Sequence, residues 1–340
     1  MKPPAIRDDI RAFHAELVVV DLHVDVVLQH RLLRYDIQKR HRPLVRRQPL
    51  FWHADIPRMI EGGYTAAVLG IHYWPWQSRR ALRQVKKQLD YVRQVVDRDT
   101  RVLLARTAAD IDVAKRTGRL ALLAGLEGAH MLDQSLDFLE EARDRGVVYV
   151  TLAHFSKNAA CTPGLGRKKN QRDGLTPFGR DLVAELNRLG ILVDVAHVNR
   201  PGVIEACETS TSPVIASHSL ASGLRDTPRG LDDAGLHAVA ATGGVVGVIF
   251  APNFLRGKLD APIDAVIDHL LYIADRIGPR HLAIGTDFDG WIPSIPNDIR
   301  DCRDLAWLTQ RLVDRGTSRE DVAGILGGNF LRVLRQVRGA

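Results

Sequence analysis

At 340 residues and 45% hydrophobic, with a net charge of +7, the chain can bury a large core as one big domain or two ordinary ones. Three widely spaced cysteines without a Cys-x-x-Cys pair argue against a disulfide framework. The arginine clusters at 31–47 and 167–172 lack the interleaved aromatics of a nucleic-acid face, so they read as solvated loops, and no nucleic-acid partner is expected.

Ile6, Ile10, Phe13 and Leu17 recur at helical spacing among charged residues, which predicts an amphipathic helix rather than a signal peptide. No apolar stretch is long enough to span a bilayer. A soluble protein in a reducing, cytoplasmic setting, without a membrane partner, is therefore expected.

The first strand is predicted over 18–25, Val-Val-Val-Asp-Leu-His-Val-Asp. Its valines suit a pleated surface. The period of two puts His23 and Asp25 on one side, where an imidazole and a carboxylate make half a metal site. Residues 26–56 read as a long basic loop containing Pro43 and Pro49, followed by a short helix over 56–61. A second strand is predicted over 65–71. The rings of Tyr73, Trp74 and Trp76 after it wall a pocket or pack beneath a loop, and the sequence leaves both readings open.

A helix over 81–97 precedes a third strand over 120–127, which ends in Glu127. A helix over 135–145 leads to a fourth strand, 147–154, ending in His154. A basic, glycine-containing loop follows over 162–176. A helix over 178–189 introduces a fifth strand, 191–197, ending in His197. A short helix over 201–208 leads to a sixth strand, 213–218, ending in His218. The seventh and eighth strands fall at 245–250 and 281–287, the last ending in Asp287. The closing helix is predicted over 322–337, behind a capping box formed by Thr317 and Glu320.

Eight short apolar strands separated by helices predict a parallel α/β architecture, and eight strands close into a (β/α)8 TIM-like barrel spanning residues 1–340 as a single domain. In that fold the chemistry sits at the C-terminal strand ends. Six of the eight strands end there in potential ligands: His23 with Asp25, Glu127, His154, His197, His218 and Asp287. One such histidine is usually structural, whereas this repetition points to a metal centre. Imidazoles and carboxylates without thiolates suit Zn²⁺ or Mn²⁺, and a carboxylate such as Glu127 can bridge two ions holding a hydroxide. Asp287 is the natural group to move the proton.

His23-x-Asp25, Gly125-Leu-Glu127-Gly-Ala-His130, Tyr149-Val-Thr-Leu-Ala-His154, Asp194-Val-Ala-His197, Ser217-His218-Ser219 and Gly285-Thr-Asp287-Phe-Asp289-Gly290, with a closing Gly327-Gly-Asn-Phe-Leu-Arg332-Val, together resemble the membrane (renal) dipeptidase family of zinc metallopeptidases. The resemblance runs through nearly the whole chain, in the family's order and with similar spacings. It implies two Zn²⁺ ions, one held by His23 and Asp25, the other by His197 and His218, with Glu127 bridging. It also implies that His154 polarises the scissile carbonyl, that Asp287 shuttles the proton and that Arg229 holds the carboxylate of a small dipeptide substrate. Gly230 stands where the family commonly has asparagine. The segment Gly70-Ile-His-Tyr-Trp-Pro75 departs further from the pattern, which bears on side-chain preference. The other reading of the barrel is an amidohydrolase-type enzyme acting on N-acyl amino acids, lactones or phosphoesters. Many of those bridge their metals with a carboxylated lysine after strand four, where this chain has His154. Barrels of this type often form homodimers, although no stripe in the sequence specifies one.

Overall fold

The computed structural model describes residues 4–42 and 50–339. Pro43, Pro49 and part of the basic run read at 31–47 lie outside the described residues. Among the described residues nine strands form: β1 (Val20–Val24), β2 (Ala66–Ile71), β3 (Val102–Leu104), β4 (Leu120–Glu127), β5 (Val147–Thr151), β6 (Leu192–Asp194), β7 (Val214–Ser219), β8 (Val245–Val248) and β9 (Leu282–Ile284). All pair in parallel, and the β2–β4 ladder closes eight of them into a barrel in the cyclic order β1, β2, β4, β5, β6, β7, β8, β9. β3 lies outside the ring on the first residues of β4, from Leu120 to Leu122, before β5 takes up the pairing at Ala124. The sequence reading missed β3. With three residues, two of them only half-buried, it offers too short a period to register.

Alternation along the strands builds the inside of the barrel. Ala66 and Val68 of β2 and Ala121 and Leu123 of β4 join one apolar cluster with Leu22, Ile215 and Phe330. Gly70 and Gly125 continue the same two faces upward. A Cβ at Gly70 would stand 1.8 Å from Asp25 Oδ1, and one at Gly125 would stand 2.1 Å from the Tyr149 ring. Both glycines therefore keep the upper barrel open for polar side chains. A second, larger cluster packs the outer faces of the strands against the helices.

Three expectations are corrected. Residues Val26–Leu33 form a helix rather than the start of a loop. Its first turn, Val26 to Gln29, is buried, and that packing outweighs the poor helix propensity of paired valines. The cap lies one residue later than expected and is not a full capping box: Ser318 caps helix Arg319–Ala323 by accepting from the Asp321 amide. The closing helix is also broken, with a wide turn at Gly324–Gly328 before helix Asn329–Arg338. There the Asn329 amide donates to the carbonyls of Pro279 and Leu282, both at 2.9 Å. The Gly-Gly-Asn motif thus clamps the last helix to β9.

Candidate active site

The strand ends converge on one cavity of about 270 Å³, near the small end of the range of roughly 300–1,000 Å³ usual for ligand pockets. Its floor includes Asp25, His72, Glu127, His154, His197, Arg229 and Asp287, and its wall includes Trp74, Trp76, Phe155 and Trp291. All eight site residues read from the sequence (His23, Asp25, Glu127, His154, His197, His218, Arg229 and Asp287) are buried around this point.

Glu127 is the hub. Its Oε1 lies 3.1 Å from His197 Nε2, 3.4 Å from His154 Nε2, 3.5 Å from His218 Nε2 and 3.6 Å from His23 Nε2. His23 Nε2 is 3.3 Å from Asp25 Oδ1, and the Nε2 atoms of His197 and His218 are 2.9 Å apart. Two compact donor groups result, His23–Asp25–Glu127 and Glu127–His197–His218, with Glu127 common to both; a third joins His23, His218 and Asp287. His197 and Asp287 adopt left-handed backbone conformations, φ 66° and 58°. This turns each side chain off the strand direction into the cavity, a strain of the kind found at functional sites.

Hydrogen bonds below the site fix which ring nitrogen faces it. The Tyr149 hydroxyl donates to the Leu22 carbonyl at 3.0 Å, so at 2.7 Å from His23 Nδ1 it accepts that N–H. Ser217 Oγ donates to Asp194 Oδ2 at 2.7 Å and accepts from His218 Nδ1 at 2.9 Å. In its neutral form each ring therefore turns an unprotonated Nε2 toward Glu127, the tautomer that a metal ligand needs; His23, whose carboxylate neighbours favour its protonated form, would exchange that proton for a cation.

Electrostatics follow from burial. Burial pushes the imidazoles of His154 and His218 well below the ordinary range, and burial together with Arg229 takes His197 down to about 3, so all three are neutral. Burial alone would raise Glu127, but His154, His23 and His72 hold it well below the usual carboxylate range. His23, also penalised by burial, is raised to about 10 by Asp25 and Glu127. Burial and the neighbouring Asp25 push Asp287 well above the usual range. Buried, unpartnered His23 Nε2, Asp25 Oδ1 and Glu127 Oε2 are costly beside an apolar barrel unless a cation satisfies them. The donor set accordingly fits divalent ions favouring nitrogen and oxygen ligands.

Arg229 stands at the rim of this cluster. Its Nη2 donates to the His218 carbonyl at 2.7 Å and lies 3.3 Å from His197 Nε2. Nε and Nη1 are buried without hydrogen-bond partners. The nearby acids Asp232 and Asp233 have other partners: Asp232 faces Arg200, and Asp233 faces Arg276 and Tyr272.

Sequence reasoning missed His72, whose Nδ1 is 3.0 Å from Glu127 Oε2. The signal was present, since residues 66, 68 and 70 face inward and the period of two carries His72 inward as well. Trp291 was also missed. It lies 6.0 Å from the Trp74 ring, and Trp74 stacks on Trp76 at 5.3 Å. Trp74 and Trp76 therefore wall the pocket.

Comparison with known proteins gives a match over residues 7–340 to the family described as membrane dipeptidase, peptidase family M19. The chain belongs to this metallopeptidase family. Its members are hydrolases, and its curated relatives include dipeptidase tcpJ of Claviceps purpurea, 32% identical over 314 residues that cover 89% of this chain and 73% of that protein. Across four curated relatives the matched share of the relative's own length runs from 53% to 73%. Solved structures align more completely. The metallopeptidase dipeptidase AC is 26% identical with a TM-score of 0.84, over 96% of this chain and all of that one. A metallopeptidase of Rhodobacter sphaeroides, solved with a phosphinate mimic of the dipeptide L-Ala-D-Ala, is 25% identical with a TM-score of 0.81, over 94% of this chain and 99% of that one. The eight-stranded barrel of this M19 dipeptidase family member agrees with both. Among the described residues no helix is long and apolar enough to cross a membrane.

Proposed function

We propose that this protein is a dipeptidase that cleaves the single peptide bond of dipeptides bearing a free C-terminal carboxylate, with two Zn²⁺ ions at the strand ends of one metallohydrolase domain. His23, Asp25 and Glu127 would hold one ion, and Glu127, His197 and His218 the other. Such ions lower the pKa of water toward neutrality and polarise a carbonyl. The remaining work falls to the chain's own side chains. Asp287, buried on the cavity beside the ligand cluster, takes the proton of the attacking water at a carboxylate oxygen and returns it to the leaving amine. His154, neutral and cavity-lining, donates its N–H to the scissile carbonyl oxygen as negative charge develops there. Phe155 and the tryptophan wall limit solvent around the reacting bond.

The observation that carries the reading is Arg229. A buried guanidinium with Nε and Nη1 unpartnered, on the same cavity as the ligand cluster, has N–H groups free to donate to a substrate carboxylate. Only a substrate ending one residue beyond the scissile bond would satisfy both that guanidinium and the ligand cluster. The dipeptide mimic on the Rhodobacter relative supports this substrate class. The test compares a dipeptide, its C-terminal amide and an N-acyl amino acid in wild type and Arg229→Ala. A charge-assisted hydrogen bond contributes about 1.5–3 kcal/mol, so the amide and the variant should each lose about 10- to 150-fold in kcat/KM. Equal wild-type rates on acid and amide would contradict the reading, and a preference for the N-acyl amino acid would shift it to the other amidohydrolase class.

A further inference from the structure

We propose that His72 Nδ1 is a fourth protein ligand to the ion held by His23, Asp25 and Glu127, so that the two ions are bound unequally. The inference rests on the binuclear reading above and adds to it a residue outside the ligand set carried by the sequence motifs. His23, Asp25 and Glu127 offer ligand atoms within 4.8 Å of one another, and His72 Nδ1 adjoins this group through Asp25 Oδ1 and Glu127 Oε2; four atoms are concerned, His23 Nε2, Asp25 Oδ1, Glu127 Oε2 and His72 Nδ1. Each is buried, and each lacks a hydrogen-bond partner. His72 Nδ1 stands 3.0 Å from Glu127 Oε2 and 3.8 Å from Asp25 Oδ1, and His23 Nε2 stands 3.3 Å from Asp25 Oδ1. Bonds of about 2.0–2.2 Å to a tetrahedral centre put donor atoms about 3.3–3.6 Å apart, and the three separations around Asp25 Oδ1 and His72 Nδ1 bracket that edge length. Donor atoms this close that make no hydrogen bonds are arranged for a shared cation rather than for one another.

The fold places His72 there. β2 and β4 pair in register with Gly70 opposite Gly125 and Ile71 opposite Leu126, so the next step sets His72 beside Glu127. Gly70, two residues earlier on the same face, leaves the space that Asp25 occupies. The Gln88 side chain donates to the His72 carbonyl at 2.8 Å and fixes its backbone. With His72 included, the His23–Asp25 side has four protein donors, the closed pattern of a retained ion. The His197–His218 side has three, which leaves a position for water or substrate. That open side is the one beside Arg229, whose Nη2 is 3.3 Å from His197 Nε2.

The test is Zn²⁺ titration of metal-free protein in competition with a chromophoric chelator. Wild type should fill two sites of unequal affinity. His72→Ala should weaken the tighter site by at least about 10-fold and leave the weaker one unchanged, and free imidazole should restore the lost affinity through the cavity that His72 lines. His72→Phe, which keeps a ring in place should the smaller side chain disturb folding, should show the same loss without imidazole rescue. Wild-type affinities at both sites in the variants would overturn the inference, as would equal weakening of both sites without imidazole rescue. A wild-type protein that binds no ion would instead overturn the binuclear reading itself.

Discussion

Tyr149 and Ser217 touch no reacting atom in the proposed mechanism, yet they decide which nitrogen of His23 and His218 is available. Phenylalanine at 149 would remove the acceptor at 2.7 Å from His23 Nδ1 and free the ring to change tautomer. Such supporting partners typically cost 10- to 100-fold in metal affinity when lost, so Tyr149→Phe should weaken Zn²⁺ binding by about that factor, measured by chelator competition. Asp287 calls for the opposite pattern. Asp287→Asn preserves shape and removes the proton carrier, so kcat should fall about 10²-fold or more with metal content retained. Because Asp287 also lies within ligand distance of His23 and His218, loss of metal in that variant would make it a ligand and contradict its role as the shuttle. The sequence made the positions of these groups legible through strand-end periodicity. It could not show the tautomers, since the partners come from strands more than a hundred residues apart in the case of His23 and Tyr149.

At the scale of elements, a buried ion network holds the cavity's surroundings in place. Arg58, in the helix Ile56–Glu61, pairs with Asp55 at 2.8 Å and Asp301 at 3.0 Å, all fully buried. Two residues past Asp287, the Asp289 carboxylate accepts from the His53 and Ala54 amides at 2.7 and 3.1 Å, so the same helix entry is tied to the loop after β9. Removing one partner of a buried ion pair leaves an uncompensated charge. Arg58→Ala should therefore destabilise the fold by about 3–5 kcal/mol in denaturant unfolding, and an unchanged midpoint would show the network to be dispensable. None of this was visible in the sequence, because the partners are polar residues from three irregular segments with no shared period. The strands themselves were legible, each being a short apolar run between turn signals. Their ends were read too long at His154, His197 and Asp287, where the backbone leaves the ladder to aim a side chain inward.

For the whole molecule, the number eight was the informative quantity in the sequence, since eight parallel strands admit closure and closure gathers their ends into one place. The barrel therefore followed from strand count and spacing. β3 and the helix Val26–Leu33 did not, because tertiary packing rather than local pattern selects them. The same closure makes Glu127, among the described residues, the carboxylate that five imidazoles approach within 3.6 Å. The proposed binding of two ions depends most directly on that shared carboxylate. Elemental analysis of fully active protein should give two divalent ions per chain, and Glu127→Gln, which keeps the shape but removes the common charge, should weaken both sites together. One ion or fewer in fully active protein, or a Glu127→Gln variant that retains both ions with wild-type affinity, would contradict it.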